Sequence, residues 1–194
     1  MNNYSEYQLT ITDIVDAFTY GAYADFIEYY KKTIKSGKED INQVYGRHKY
    51  NLLMYLLCED KNFEDRIKMT RILIEDKINI NHLNSFKRNA LHSFYFAIWR
   101  GDPQYYYEIT KLLVENGIDI NAVDKFGSTP LQYLLTLYKN DFESIEPVCR
   151  FLLKNGADYN KKNNNGKSCL DYAKEFFWIE GFVKLVKEFE DENK

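Results

Sequence analysis

Six side chains in this 194-residue chain have the chemistry to hold a transition metal: His48, His82, His92, Cys58, Cys149 and Cys169. A zinc site takes four such ligands in close pairs, and these six form no Cys-x-x-Cys or His-x-x-x-His pattern, so no metal is implied. Three cysteines, odd in number and far apart, fit reduced thiols buried as small hydrophobes better than a disulfide framework. Nor is there a phosphate loop, because Asn163-Asn164-Asn165-Gly166-Lys167-Ser168 has one glycine and follows no strand. The carboxylates of Glu59-Asp60 and Glu190-Asp191-Glu192 fall in a connection and in the tail, where solvated surface is the ordinary reading. The sequon Asn3-Tyr4-Ser5 has meaning only in a secreted chain. These residues imply no catalytic centre, no metal and no cofactor. What remains to be placed is binding.

The elements that would position a binding surface follow from composition. A 45% hydrophobic chain with 16% aromatic residues and only 3 Pro and 9 Gly can bury a continuous core and favours helices. The opening Met1-Asn2-Asn3-Tyr4-Ser5-Glu6 lacks the basic and apolar regions of a signal peptide. The longest apolar run, Leu52 to Cys58, falls far short of the roughly twenty residues a bilayer span requires. The expectation is a cytoplasmic protein in the producing cell, without a membrane span, later delivery elsewhere remaining an open alternative.

A fixed period then organises the chain. Asn42, Asn81, Asn121 and Asn160, each after Ile or Tyr, are spaced by 39, 40 and 39 residues, and Leu52, Leu91, Leu131 and Leu170 keep the same steps. Between these landmarks a loop-like stretch leads to an apolar segment, a polar break and a second apolar segment ending in a turn. That is a helix-turn-helix unit with a finger between units. Asn116-Gly117 and Asn155-Gly156, after the last leucines of two second segments, supply the left-handed residue that stops a helix. Thr12 or Asp13 can cap a first helix from about Ile14 to Tyr20, with a second from Ala22 to Lys35. A final pair spans Leu170 to Phe177 and Gly181 to Phe189, making five helix pairs. The expected divisions are 1–41 as an N-terminal cap pair, repeats at 42–80, 81–120 and 121–159, and 160–194 as a C-terminal cap pair. Arrays of this sort share one core between neighbours and need atypical ends.

The run Asn116-Gly117-Ile118-Asp119-Ile120-Asn121-Ala122-Val123-Asp124-Lys125-Phe126-Gly127-Ser128-Thr129-Pro130-Leu131 closely resembles the ankyrin signature. Residues 155–170 resemble it again, and Asn89-Ala90-Leu91-His92 is a weaker copy. The resemblance covers roughly residues 40–175 and implies an all-α, ankyrin-type solenoid with finger loops between helix pairs. Ankyrin units run about 33 residues, so about six extra residues fall between the helices, in 58–66, 100–107 and 138–145. The family's small alanine pair is replaced by Tyr55-Leu56, Phe94-Tyr95 and Leu134-Leu135, and His48 and Lys87 stand where a finger glycine is expected. His92, at the family's histidine position, is expected to make structural hydrogen bonds near the finger.

The resemblance also implies where a partner would sit, on the finger tips and the exposed side of the first helices. The residues so assigned are Arg47, Lys49, Phe86, Arg88, Lys125, Phe126, Ser128, Asn165 and Lys167 in the fingers, with Phe96 and Thr136 on helices. Leu57 is placed on the same concave face. Four finger decades hold Arg47, Lys49, Lys87, Arg88, Lys125, Lys161, Lys162 and Lys167 against Asp124 alone, a net +7 in a chain whose total is −3. Such an edge would steer a partner protein with an acidic patch, and Phe86 and Phe126 would be its aromatic anchors. The leading expectation is a non-enzymatic protein–protein interaction module, monomeric when free, acting as inhibitor or adaptor, for example an immunity protein or host-directed effector. The alternative is nucleic-acid or phosphate-ligand binding through the basic edge, against which stand the negative total and the lack of interleaved arginines and aromatics.

Overall fold

A computed structural model describes residues 12–58, 62–97, 102–139 and 141–193. The first pair of helices is α1 (Ile14–Tyr20) and α2 (Tyr23–Tyr30), the latter continued by a π-helical turn, Lys31–Lys35. Then come α3 (Leu52–Leu56) with α4 (Phe63–Glu75), α5 (Ala90–Ala97) with α6 (Pro103–Glu115), and α7 (Pro130–Leu137) with α8 (Phe142–Lys154). The last pair is α9 (Cys169–Glu175) and α10 (Gly181–Glu192), joined through a 3-10 turn at Phe177–Ile179. First helices pack on first helices along the chain, and second helices on second helices, which gives a two-layer solenoid of five pairs among the described residues.

Local chemistry sets these boundaries. Asp13 caps α1 by accepting from Asp16 N at 2.9 Å, and Asp102 and Asp141 do the same for α6 and α8. Past the second helices, Gly37, Lys77, Gly117 and Gly156 hold the left-handed backbone that turns each chain toward its finger. Lys77 adopts φ 66° without a glycine's freedom.

The caps also revise the register. Asn51, Asn89, Thr129 and Ser168 each cap a first helix, so the equivalent leucines are Leu53, Leu91, Leu131 and Leu170, with Leu52 one place early. The cause is the first finger, whose hairpin closes from Tyr45 to Tyr50, one residue longer than the Asn84 to Arg88 turn of the second. The bulky pair of the first repeat is therefore Leu56-Leu57, and Leu57 is buried in the core rather than on the concave face. Leu52, Leu53, Leu91 and Leu131 are buried, whereas Leu170, in the last of the described pairs, is only partly so.

Of the segments expected to carry the extra residues, 59–61, 100–101 and 140 lie outside the described residues, Glu59-Asp60 among them. The remainder is largely helix, since Phe63, Pro103 and Phe142 open α4, α6 and α8. Arg66, in the first of these segments, is buried with its guanidinium donating to the carbonyls of Phe18 at 3.2 Å, Thr19 at 2.6 Å and Leu56. It thus ties the ends of α1 and α3 together.

The recurring asparagines are structural. Asn81 accepts from Asp119 N at 2.7 Å and donates to Gly117 O at 2.9 Å, and Asn121 repeats the clamp on Asp158 and Gly156 at 2.8 and 2.9 Å. Each side chain bridges one turn to the next. At the tips, one backbone bond joins each finger to its neighbour: Ser85 N to His48 O, Lys125 N to Phe86 O, and Asn164 N to Phe126 O, at 2.9–3.0 Å. Gly127 is required in that ladder because its φ is 72° and a Cβ there would lie 2.6 Å from Asn164 Oδ1.

Candidate functional site

The finger turns are built from Asx side chains. Asp124 Oδ1 accepts from Phe126 N and Ser128 N at 2.8 and 3.0 Å, and Asn163 does the same for Asn165 and Lys167 at 3.0 and 3.2 Å. Behind each turn stands a tyrosine from the first helix. Tyr133 donates to Asp124 Oδ2 at 2.6 Å, and Tyr172 accepts from Asn163 Nδ2 at 2.9 Å. Deeper still, buried His92 places Nε2 2.9 Å from Ser128 O, and Gln132, one repeat on, donates to Lys167 O at 2.8 Å. These bonds fix the fingers on the helices, and burial pushes the His92 imidazole down to about 4.

The preorganised edge encloses a groove of about 270 Å³ lined by Phe96, Phe126, Ser128, Gln132, Tyr133, Thr136, Leu137, Asn163, Asn165 and Tyr172. Five residues assigned from the sequence meet here: Phe96, Phe126, Ser128, Thr136 and Asn165. Phe96 is 49% exposed and Phe126 55%, so each offers a large apolar face to solvent. Tyr133 and Tyr172 were not in the assigned set, although their 39-residue spacing on first helices was visible.

The other assigned residues lie along the finger edge. Arg47 and Lys49 are exposed on the first finger, the former donating from Nε to His48 at 3.0 Å, and Lys125 is exposed at the third tip. Lys167 forms an ion pair with Glu175. Phe86 departs from its expected role as a free anchor: it is half-buried, its ring 5.1 Å from His48 and flanked by Arg88. Arg88 departs further. Expected as exposed charge, it is buried, with Nε donating to Tyr133 Oη at 2.9 Å and lying 3.6 Å from Asp124 Oδ2. The cause is the neighbouring repeat, which supplies a buried carboxylate and an aromatic wall. The exposed cations of the edge are therefore Arg47, Lys49, Lys87, Lys125, Lys161 and Lys162.

Residues 94–189 match the family model for ankyrin repeats in 3 copies. The chain is an ankyrin repeat protein. Repeats of this family generally mediate protein–protein interaction, and the family is typically a non-enzymatic binding module. Among curated proteins, none matches the chain. Within the ankyrin array, burial raises the Cys149 and Cys169 thiols, which keeps both protonated and poorly nucleophilic. No helix among the described residues is long and apolar enough to cross a membrane.

Proposed function

We propose that this ankyrin array binds a partner protein in the groove between the third and fourth fingers and the first helices, and acts as an inhibitor that covers its target or an adaptor that holds it. The observation carrying this reading is the pair Phe96 and Phe126, half-exposed on opposite elements of one groove whose walls are fixed by hydrogen bonds. Rigid aromatics that a partner desolvates dominate binding energy, and a preformed surface avoids the entropy of ordering loops. The six exposed finger cations are spread along the four fingers, two of which border the groove, in a chain of net charge −3, an arrangement that steers a partner with an acidic patch. The His92 Nε2 is committed to the Ser128 carbonyl and burial keeps the Cys149 thiol protonated, which accords with occlusion or scaffolding as the role of the array.

The test is capture from the source lysate on three baits: wild type, Phe96→Ala with Phe126→Ala, and a control altered on the second helices at Lys111 and Glu115. A partner held by wild type and control but lost from the groove variant supports the reading, with the loss appearing as faster dissociation. Loss only from the second-helix control sinks it. Retention that vanishes on nuclease treatment would favour nucleic acid as the ligand.

A further inference from the structure

We infer that Arg88 is the receptor for a single carboxylate of the partner, an Asp or Glu side chain carried beside an apolar residue. This rests on the reading of the groove as a protein-binding surface and names what that surface recognises.

Arg66 shows what a buried guanidinium does when its task is to hold the fold, its terminal nitrogens donating to backbone carbonyls of α1 and α3. Arg88 is built differently. Its side chain is nine-tenths buried, yet only Nε has a partner, Tyr133 Oη at 2.9 Å. Among the described residues Nη1 and Nη2 donate to nothing. The guanidinium carbon lies 4.3 Å from the Phe96 ring centroid, 5.0 Å from Tyr133 and 5.3 Å from Phe86. Aromatic rings thus occupy the surroundings of the cation while leaving its terminal donors unused. Two parallel N–H donors in a fixed plane match a carboxylate bidentately.

Asp124 does not already fill this role. Its oxygens accept from Phe126 N, Ser128 N and Tyr133 Oη, and its ion-pair contact with Arg88 is to Nε, at 3.6 Å. Asp124 does decide the charge of the ligand. A monoanionic carboxylate meets one nearby negative charge, offset by Arg88 and by Lys125, whose Nζ lies 5.9 Å from the Phe86 ring. A phosphate near −2 would double the repulsion. Phe96 joins the two parts of the site, since it faces Arg88 and also lines the groove, which places an apolar neighbour next to the carboxylate. Being largely desolvated, the contact governs dissociation, and the exposed lysines govern encounter.

The first measurement titrates the full chain with acetate, and with acetamide as neutral control, following arginine Nη–H resonances by NMR. Arg88 should shift saturably with acetate alone, and exposed Arg47 serves as the internal reference. A shift at Arg88 no larger than at Arg47 overturns the inference. The second pans an unphosphorylated random-peptide library and changes the acid of an enriched peptide to its amide. On wild-type protein, which needs no variant to fold, this should weaken binding about 30-fold, the lower range for a buried hydrogen-bonded charge. On Arg88→Gln the same change should cost less than about 3-fold, since the coupling is gone. Peptides that need Phe126 but no carboxylate overturn this inference and leave the groove reading intact. Peptides indifferent to both Phe96→Ala and Phe126→Ala overturn the groove reading itself.

Discussion

Replacing His92 with Gln should flatten the acid limb of the stability curve while leaving stability near neutral pH almost unchanged. His92 is fully buried, and the bond from Nε2 to Ser128 O is what it contributes to the fold. One repeat later Gln132 makes the corresponding bond to Lys167 O, so Gln can take over the role without a titrating ring. Burial outweighs the neighbouring carbonyl and carboxylate and lowers the folded-state value from 6.5 to about 4. The unfolded chain therefore binds the proton first as pH falls. Stability is unaffected above about 6.5 and declines between there and about 4, at roughly 1.4 kcal/mol per pH unit. By about pH 4.5 the wild type should have lost about 2.5 kcal/mol more than His92→Gln. Urea titrations of both proteins at about pH 7 and about pH 4.5 measure the difference, from which the exposed carboxylates and the other histidines cancel. A difference that stays within about 0.5 kcal/mol across this range would refute the argument. It would mean that the Asn89 Oδ1 contact to Nδ1, at 2.8 Å, stabilises the protonated ring as much as burial opposes it.

Gly127→Ala and Gly166→Ala both force an alanine into left-handed backbone, but only Gly127 also abuts Asn164. Denaturant titration should show a cost of about 1–2 kcal/mol at Gly166 from backbone alone and a clearly larger one at Gly127. Equal losses would count against the fingertip ladder. Arg66→Ala leaves the buried carbonyls of Phe18, Thr19 and Leu56 without their donor and should cost about 3 kcal/mol or more, read as a lowered urea midpoint. Leu131→Ala should cost about 2–5 kcal/mol and the half-buried Leu170→Ala measurably less. A loss below about 1 kcal/mol at Leu131 would contradict its place in the stack.

The 39- and 40-residue steps of asparagine and leucine determined the architecture from sequence alone, because a solenoid repeats its stacking contacts at the period of its chain. Some caps were equally legible: Asp13 opens the first helix as its type allows, and Gly117 and Gly156 take the left-handed turns. Phe126 and Phe96 could be assigned to a surface because the ankyrin resemblance places partners on finger tips and the exposed side of first helices, although Phe86, the tip equivalent to Phe126, is half-buried. The sequence did not determine the register of the first repeat, since an added finger residue is offset by a stretch from the start of α3 to the start of α4 one residue shorter than that from α7 to α8, which leaves the overall period intact. Nor could it place Arg88. Its burial depends on Tyr133 and Asp124, which lie 45 and 36 positions away and come beside it only when the repeats stack. A finger's own residues specify its turn, but the charge it shows to a partner is set by the neighbour that packs against it.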